Sequence, residues 1–200
     1  YGGNGRDISA TMATIEELSR RSLAIAVPYI MCACYGGMNI LAAGSLRQKR
    51  EFLPRLAKGE ILFAYGLTEP DVGADLASVT TRAERKGDRI IVTGAKRFCT
   101  GASVADYIYT LVKTDPSAPR YKNLSFVLVP RASAGLTITQ MDGIGMRGAT
   151  LTDVIFDGVE VPIEAVVGEA DGWNQGWPML AGPALDVEKL EVAACTFGIA

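Results

Sequence analysis

Lys58-Gly59-Glu60-Ile61-Leu62-Phe63-Ala64-Tyr65-Gly66-Leu67-Thr68 is the stretch in which the hydrophobic period of the chain changes. Upstream the pattern is helical. Ser9 or Thr11 can cap a helix through Arg21 with Met12, Ile15 and Leu18 on one side, a second apolar helix occupies part of 24–43, and a third runs over 45–57 to the Gly that favours a helix end. Downstream come seven short runs rich in β-branched and aromatic residues: 61–67, 79–83, 89–93, 107–112, 124–129, 136–139 and 154–161. Turn formers such as Lys86-Gly87-Asp88 and Asp157-Gly158 separate them, with no amphipathic helix between. That order predicts a mostly antiparallel sandwich or barrel rather than a βαβ sheet. From Gly172 the pattern is helical again, over 174–180 and 186–198, where Val187, Leu190, Ala194 and Phe197 line one face. The fold class is therefore α+β: a helical segment at 1–60, a β-domain at 61–168, and the start of a second helical part at 169–200.

Composition narrows what such a fold can do. The 200 residues are 48% hydrophobic and 21% charged, which excludes a disordered chain. A net charge of −2 without long blocks of one sign points to no nucleic acid and no anionic membrane surface. The absence of histidine removes Ser-His-Asp and Cys-His catalysis and the HExxH zinc site, so proton transfer falls to Asp, Glu, Lys, Tyr or Cys. Cys32, Cys34, Cys99 and Cys195 form no CxxC pair and read as reduced thiols of an intracellular, unsecreted protein. The uncharged run 22–46 has the length of a membrane span, but Pro28, Gly36-Gly37 and Gly44 interrupt it, and two adjoining buried segments are expected instead. Tyr1-Gly2-Gly3-Asn4-Gly5 has neither an initiator Met nor a signal peptide and reads as the middle of a longer chain.

Three stretches invite a chemical reading. Gly143-Ile144-Gly145-Met146-Arg147-Gly148 fits GxGxxG, but a strand rather than a helix follows it, so a turn between strands is expected in place of a dinucleotide site. Tyr65-Gly66-Leu67-Thr68-Glu69-Pro70-Asp71-Val72-Gly73-Ala74-Asp75 leaves a strand, is held extended before Pro70 and turns at Gly73. It reads either as a plain strand exit or as backbone and hydroxyl groups placed for a flat heterocycle and a phosphate. Lys96-Arg97-Phe98-Cys99-Thr100-Gly101-Ala102 is a second strand end with a ring and another hydroxyl.

Together these two segments resemble the acyl-CoA dehydrogenase family, whose middle β-domain carries Y/F-x-L/V-T-E-P-x-x-G-S-D and then K-x-W-I-T-N. Tyr1-Gly2-Gly3 resembles the family's P-E-E-Y-G-G. Gln48-Lys49 through Gly59-Glu60 resembles its Q-K-x-x-x-L-P-x-L-A-x-G-E, and 154–168 its V-x-F-x-x-V-x-V-P-x-x-x-x-L/V-G. The resemblance implies an FAD enzyme in which a carboxylate removes the α-proton of an acyl-CoA thioester while the β-hydride passes to the flavin. It implies that Tyr65, Leu67 and Thr68 border the flavin, that Gly73 and Ala74 lie near its pyrophosphate and the CoA arm, and that Thr100 bonds near N5 or O4. Phe98 stands where the family has a flavin-flanking Trp, keeping a stacking face and losing an indole donor. Ala74 stands where the family has Ser.

In the isovaleryl and long-chain branches the base lies in L-D-x-E-R-L, which Leu185-Asp186-Val187-Glu188-Lys189-Leu190 resembles. Glu188 is then the candidate base, with its pKa raised by desolvation, against the alternatives of a solvated helix Glu here and a base beyond Ala200. Asp186 and Lys189 are candidate CoA contacts, Lys189 replacing the usual Arg without its bidentate fork. The resemblance further implies an electron-transfer flavoprotein as acceptor, a partner made less certain by Phe98, a dimer or tetramer of the complete protein, and a bacterial-cytoplasmic or mitochondrial-matrix location. If these residues were the whole molecule, weak flavin retention and little turnover would be expected. Flavin monooxygenases, nitroalkane oxidases and non-catalytic binding relatives share the scaffold and are the competing readings.

Overall fold

The structure, a computed structural model, describes residues 1–200 apart from Arg6, Met146, Arg147 and the side chains of Pro183 and Ala184. The turn expected at 143–148 includes two of these and lies outside the described residues. Helix α1 (Ile8–Ser19) starts one turn earlier than expected, because Asp7 rather than Ser9 or Thr11 is the cap: its Oδ1 accepts from the Ala10 N–H at 2.9 Å. Helix α2 spans Leu23–Ala43 without a break, correcting the expectation of two segments. Its middle, Met31–Met38, is a π-helical stretch. The Gly36-Gly37 pair is tolerated there because Leu56 presses on Gly36 so closely that an added Cβ would sit 2.5 Å from a Leu56 methyl. Ser45 caps helix α3 (Leu46–Ala57) in a reciprocal box with Gln48.

The strands are β1 (Phe63–Gly66), β2 (Arg82–Lys86), β3 (Arg89–Lys96), β4 (Tyr107–Lys113), β5 (Leu124–Pro130), β6 (Leu136–Met141) and β7 (Leu151–Pro162). They form one sheet in the order β1-β4-β2-β3-β7-β6, with β5 also paired to β4. Four of the pairings are antiparallel, whereas β1 and β2 each run parallel to β4. The second strand begins at Arg82 instead of Val79 because the backbone N–H groups of Thr80 and Thr81 are taken by a buried carboxylate, Glu69.

A short helix α4 (Gly176–Met179) and the longer α5 (Leu185–Ile199) follow, with a break from helical geometry at Gly182 between them. Val187 is buried and Ala194 packs beside it as expected, but Leu190 and Phe197 are 47% and 76% exposed, and Glu191 and Gly198 take the buried positions instead.

Helix α2 is long and apolar enough to cross a bilayer, yet here it is a core element. Val27 and Met31 enter the cluster that fills the sheet, Ile40 joins Phe52, Leu56 and Phe63, and Ile30 and Cys34 pack with Ile15 of α1 and Val187 of α5. Gln48, fully buried, ties α3 to the chain leaving β7: its amide donates to the Glu164 and Val166 carbonyls at 3.0 and 2.7 Å and accepts from the Gly168 N–H at 2.9 Å.

Candidate active site

The exits of β1 and β3 are bolted together by a buried ion pair. Lys96 Nζ donates to the Leu67 carbonyl at 2.9 Å and to Glu69 Oε1 at 3.0 Å, with side chains 0% and 3% exposed. Glu69 also accepts from the Thr81 N–H at 2.8 Å and from the N–H and hydroxyl of Thr80, each at 2.7 Å. Burial by itself raises the Glu69 carboxyl, but the Lys96 ammonium and these hydrogen bonds outweigh it and hold the group down to about 2. Burial lowers Lys96, and Glu69 opposes the shift.

The pinned ends present the candidate flavin-side residues. The Arg97 N–H donates to the Thr68 carbonyl at 2.8 Å, setting the Thr68 and Phe98–Gly101 segments side by side. The second segment is tied to β7 by the Cys99 and Gly101 N–H groups, which donate to the Thr152 and Thr150 carbonyls at 2.8 and 2.7 Å. Gly101 is a required glycine: its φ is +78°, and a Cβ would sit 2.4 Å from the Met31 sulfur. Thr68 and Thr100 are half-buried, and among the described residues neither hydroxyl has a hydrogen-bond partner. Phe98 adopts φ 58°, uncommon for a bulky side chain, and its ring is 53% exposed with the Arg97 guanidinium 5.4 Å from its centre. Two free hydroxyls beside an outward ring fit a flat, hydrogen-bonding heterocycle such as an isoalloxazine. Gly73 and Ala74 lie exposed on the loop beyond, which an Asp75–Arg120 ion pair anchors. Leu67 is buried in the helix–sheet core, so only its backbone reaches this rim, and its carbonyl is already occupied by Lys96.

Tyr65 faces elsewhere. It stacks on Tyr35 of α2 with ring centres 4.1 Å apart, its hydroxyl bonds to the Asn39 amide, and both Tyr65 and Asn39 line a cleft with Glu188. Tyr109, Phe126, Met179, Leu180 and Leu185 complete the wall. Glu188 is half-buried there, and desolvation raises its pKa. The cavity measures about 10 Å³, room for a single water, so an acyl group enters only if the cleft opens. Asp186 and Lys189 point away from it, paired with each other at 3.2 Å on the exposed side of α5.

The structure therefore sets two hydroxyls and an exposed ring on one side of the β1 exit and a desolvated carboxyl on the other. Residues 1–60 match the family model described as acyl-CoA dehydrogenase, N-terminal domain, and residues 64–159 match that of the middle domain. The chain belongs to the acyl-CoA dehydrogenase family.

An acyl-CoA dehydrogenase of Bacillus subtilis is 34% identical over 100% of this chain and 52% of its own length. A solved structure named as a steroid ACAD is 37% identical with a TM-score of 0.85, covering 100% of this chain and 49% of its own. Another, described as an electron transferring flavoprotein of Acidaminococcus fermentans, is 30% identical with a TM-score of 0.88 over 99% of this chain and 51% of its own. The chain thus spans about half the length of the curated relatives it matches.

Reading the sequence for this acyl-CoA dehydrogenase chain missed three things at the site. The Lys96–Glu69 bolt joins residues distant in sequence, although both sit inside the motifs that carry the resemblance. Tyr35 and Asn39 lay in a run read only for hydropathy. Glu191 follows Val187 by four residues, and an acid at that helical spacing from a buried valine was the available signal.

Proposed function

We propose that this chain carries the FAD- and acyl-CoA-facing part of an enzyme that dehydrogenates an acyl-CoA thioester between its α and β carbons, in the bacterial cytoplasm or the mitochondrial matrix. FAD, when bound, supplies the oxidant that takes the β-hydride. Thr68 and Thr100 donate hydrogen bonds to the edge of the ring, Phe98 flanks it, and the Gly73-Ala74 loop lies along the pyrophosphate and the CoA arm. Glu188 accepts the α-proton. Tyr65, Tyr35 and Tyr109 exclude water from the acyl side, which strengthens the Glu188 carboxylate as a base. Asp186 and Lys189 border the CoA entrance. Within the chain, 61–168 is the flavin-binding part, and 1–60 and 169–200 are helical parts that close the acyl side.

The observation that carries this reading is the division of labour around one strand exit. Tyr65 lines the cleft of a desolvated Glu188, while Thr68, at the end of the same segment, faces the partnerless hydroxyl rim. Similarity to the structure described as an electron transferring flavoprotein supports an electron-transfer flavoprotein as acceptor, with the exposed Phe98 ring as its contact. A dimer or tetramer of the complete protein would cover the exposed apolar residues of α5.

Anaerobic titration of the full FAD-loaded chain with a panel of acyl-CoAs tests the reading. At least one thioester should bleach the flavin, and Glu188→Gln should slow that bleaching about 10²- to 10⁴-fold. Bleaching by none of them sinks the dehydrogenase reading, and an unslowed Glu188→Gln moves the base elsewhere.

A further inference from the structure

Past Asn39 the Glu188 cleft continues into a second space of about 10 Å³, bordered by Cys34, Tyr35, Glu188 and Glu191. Glu191 is 1% exposed, and among the described residues neither of its carboxyl oxygens meets hydrogen-bond geometry, although the Cys34 thiol and the Tyr35 hydroxyl lie close beside them. Buried polar groups are nearly always satisfied, so two orphan oxygens aimed into a water-sized space need a reason. The titratable groups facing Glu191 are the Cys34 thiol and Tyr35 hydroxyl from α2, Glu188 and Cys195 from α5 itself, and Tyr65 from β1 across the space. From α1, Ser19 lies beside Cys195. None of these is a cation. A lone carboxylate here would be desolvated without compensation, and the group stays neutral instead. Burial pushes Glu191 up to about 8; the Cys34 thiol pulls against it, the Glu188 charge adds to the rise, and the Tyr35 hydroxyl opposes it least.

We infer that Glu191 is a positioning residue: a neutral acid, one helical turn from Glu188, that donates its O–H to the Glu188 carboxylate directly or through the single water the space admits. The inference rests on Glu188 being the base. The pair then holds one proton and one negative charge before reaction. When Glu188 takes the α-proton the pair holds two protons and no charge, and Glu191 neither gains nor loses one. Ionising both carboxyls would place two like charges beside the α-carbon as it becomes electron-rich, so turnover should fail once Glu191 deprotonates.

Two readouts on the full FAD-loaded chain test this. By infrared titration, a protonated-carboxyl band should be present at pH 7, disappear near pH 8, survive in Glu188→Gln and be absent in Glu191→Gln. In kcat/KM against acyl-CoA, the wild-type rate should fall about tenfold per pH unit on the basic side, and Glu191→Gln should lose that decline. At pH 7 Glu191→Gln, which keeps a neutral donor, should be slowed a few-fold, and Glu191→Leu, which packs without one, tenfold or more. A residue with a merely structural role would leave the shape of the pH profile unchanged in both variants. Absence of the band at pH 7, its persistence in Glu191→Gln, or a basic decline retained in that variant overturns the inference. Undiminished turnover in Glu188→Gln instead overturns the base reading and the pairing with it, and is recognised because the band still titrates.

Discussion

Glu69 and Glu191 are both buried carboxyls, 4% and 1% exposed, yet their surroundings push them in opposite directions. Glu69 meets an ammonium, two backbone N–H groups and a hydroxyl, and is held down to about 2. Glu191 meets a thiol, a phenol and another acid, and is pushed up to about 8. Burial is common to both, so the donors that surround each group decide its charge. The first carboxyl is a structural rivet, and the second is the acid proposed to keep its proton beside the candidate base Glu188.

The comparison can be broken most severely at Lys96. Lys96→Met strands the Glu69 charge without its cation and should cost about 3–5 kcal/mol in denaturant unfolding, whereas adding Glu69→Leu removes the stranded charge but orphans the Thr80 and Thr81 N–H groups and should recover only part of that loss. The two carboxyls should also tilt stability against pH in opposite directions. The folded pKa of Glu191 lies above its unfolded value, so its contribution is complete below about 4.5 and is lost as pH rises toward about 8. The slope reaches about 1.4 kcal/mol per pH unit at most, and Glu191→Gln should flatten it. Glu69 lies below its unfolded value, so its contribution is present above about 4.5 and disappears as pH falls toward about 2. Urea midpoints measured across pH in wild type and Glu191→Gln separate the two limbs. Gln48 supplies an uncharged reference, buried and fully bonded, and Gln48→Ala should cost about 1–3 kcal/mol by orphaning its carbonyl and N–H partners. Smallest of all is Lys189→Ala. Its partner Asp186 is as exposed as the lysine itself, and the change in melting free energy should stay within about 0.5 kcal/mol.

The seven strands were legible because alternation and β-branched content report directly on a half-buried pleated surface. Even so, Val79–Thr81 was read as strand when its amides serve Glu69, a debt that only the folded chain reveals. Helix α2 was legible as apolar but not as continuous, since Gly36, one of the pair that argues against a helix in isolation, is what Leu56 packs upon. At the candidate site, Thr68, Thr100 and Phe98 stand out in the sequence because they sit in contiguous motifs. The exposure of Leu190 and Phe197 on α5 does not, because they are as apolar as a core face and differ from one only in being exposed. Glu191 was hidden for the same reason.

Met31 and Tyr35 stand one turn apart on α2 and touch different halves of the molecule: Met31 abuts Gly101, next to Thr100, and Tyr35 stacks on Tyr65, beside Glu188. Any sideways shift of this rod that widens the space at Tyr35 must also press upon, or release, the loop at Gly101. One helix thus touches both halves, and oxygenation of the Met31 thioether would strain the Gly101 turn without touching a reacting group.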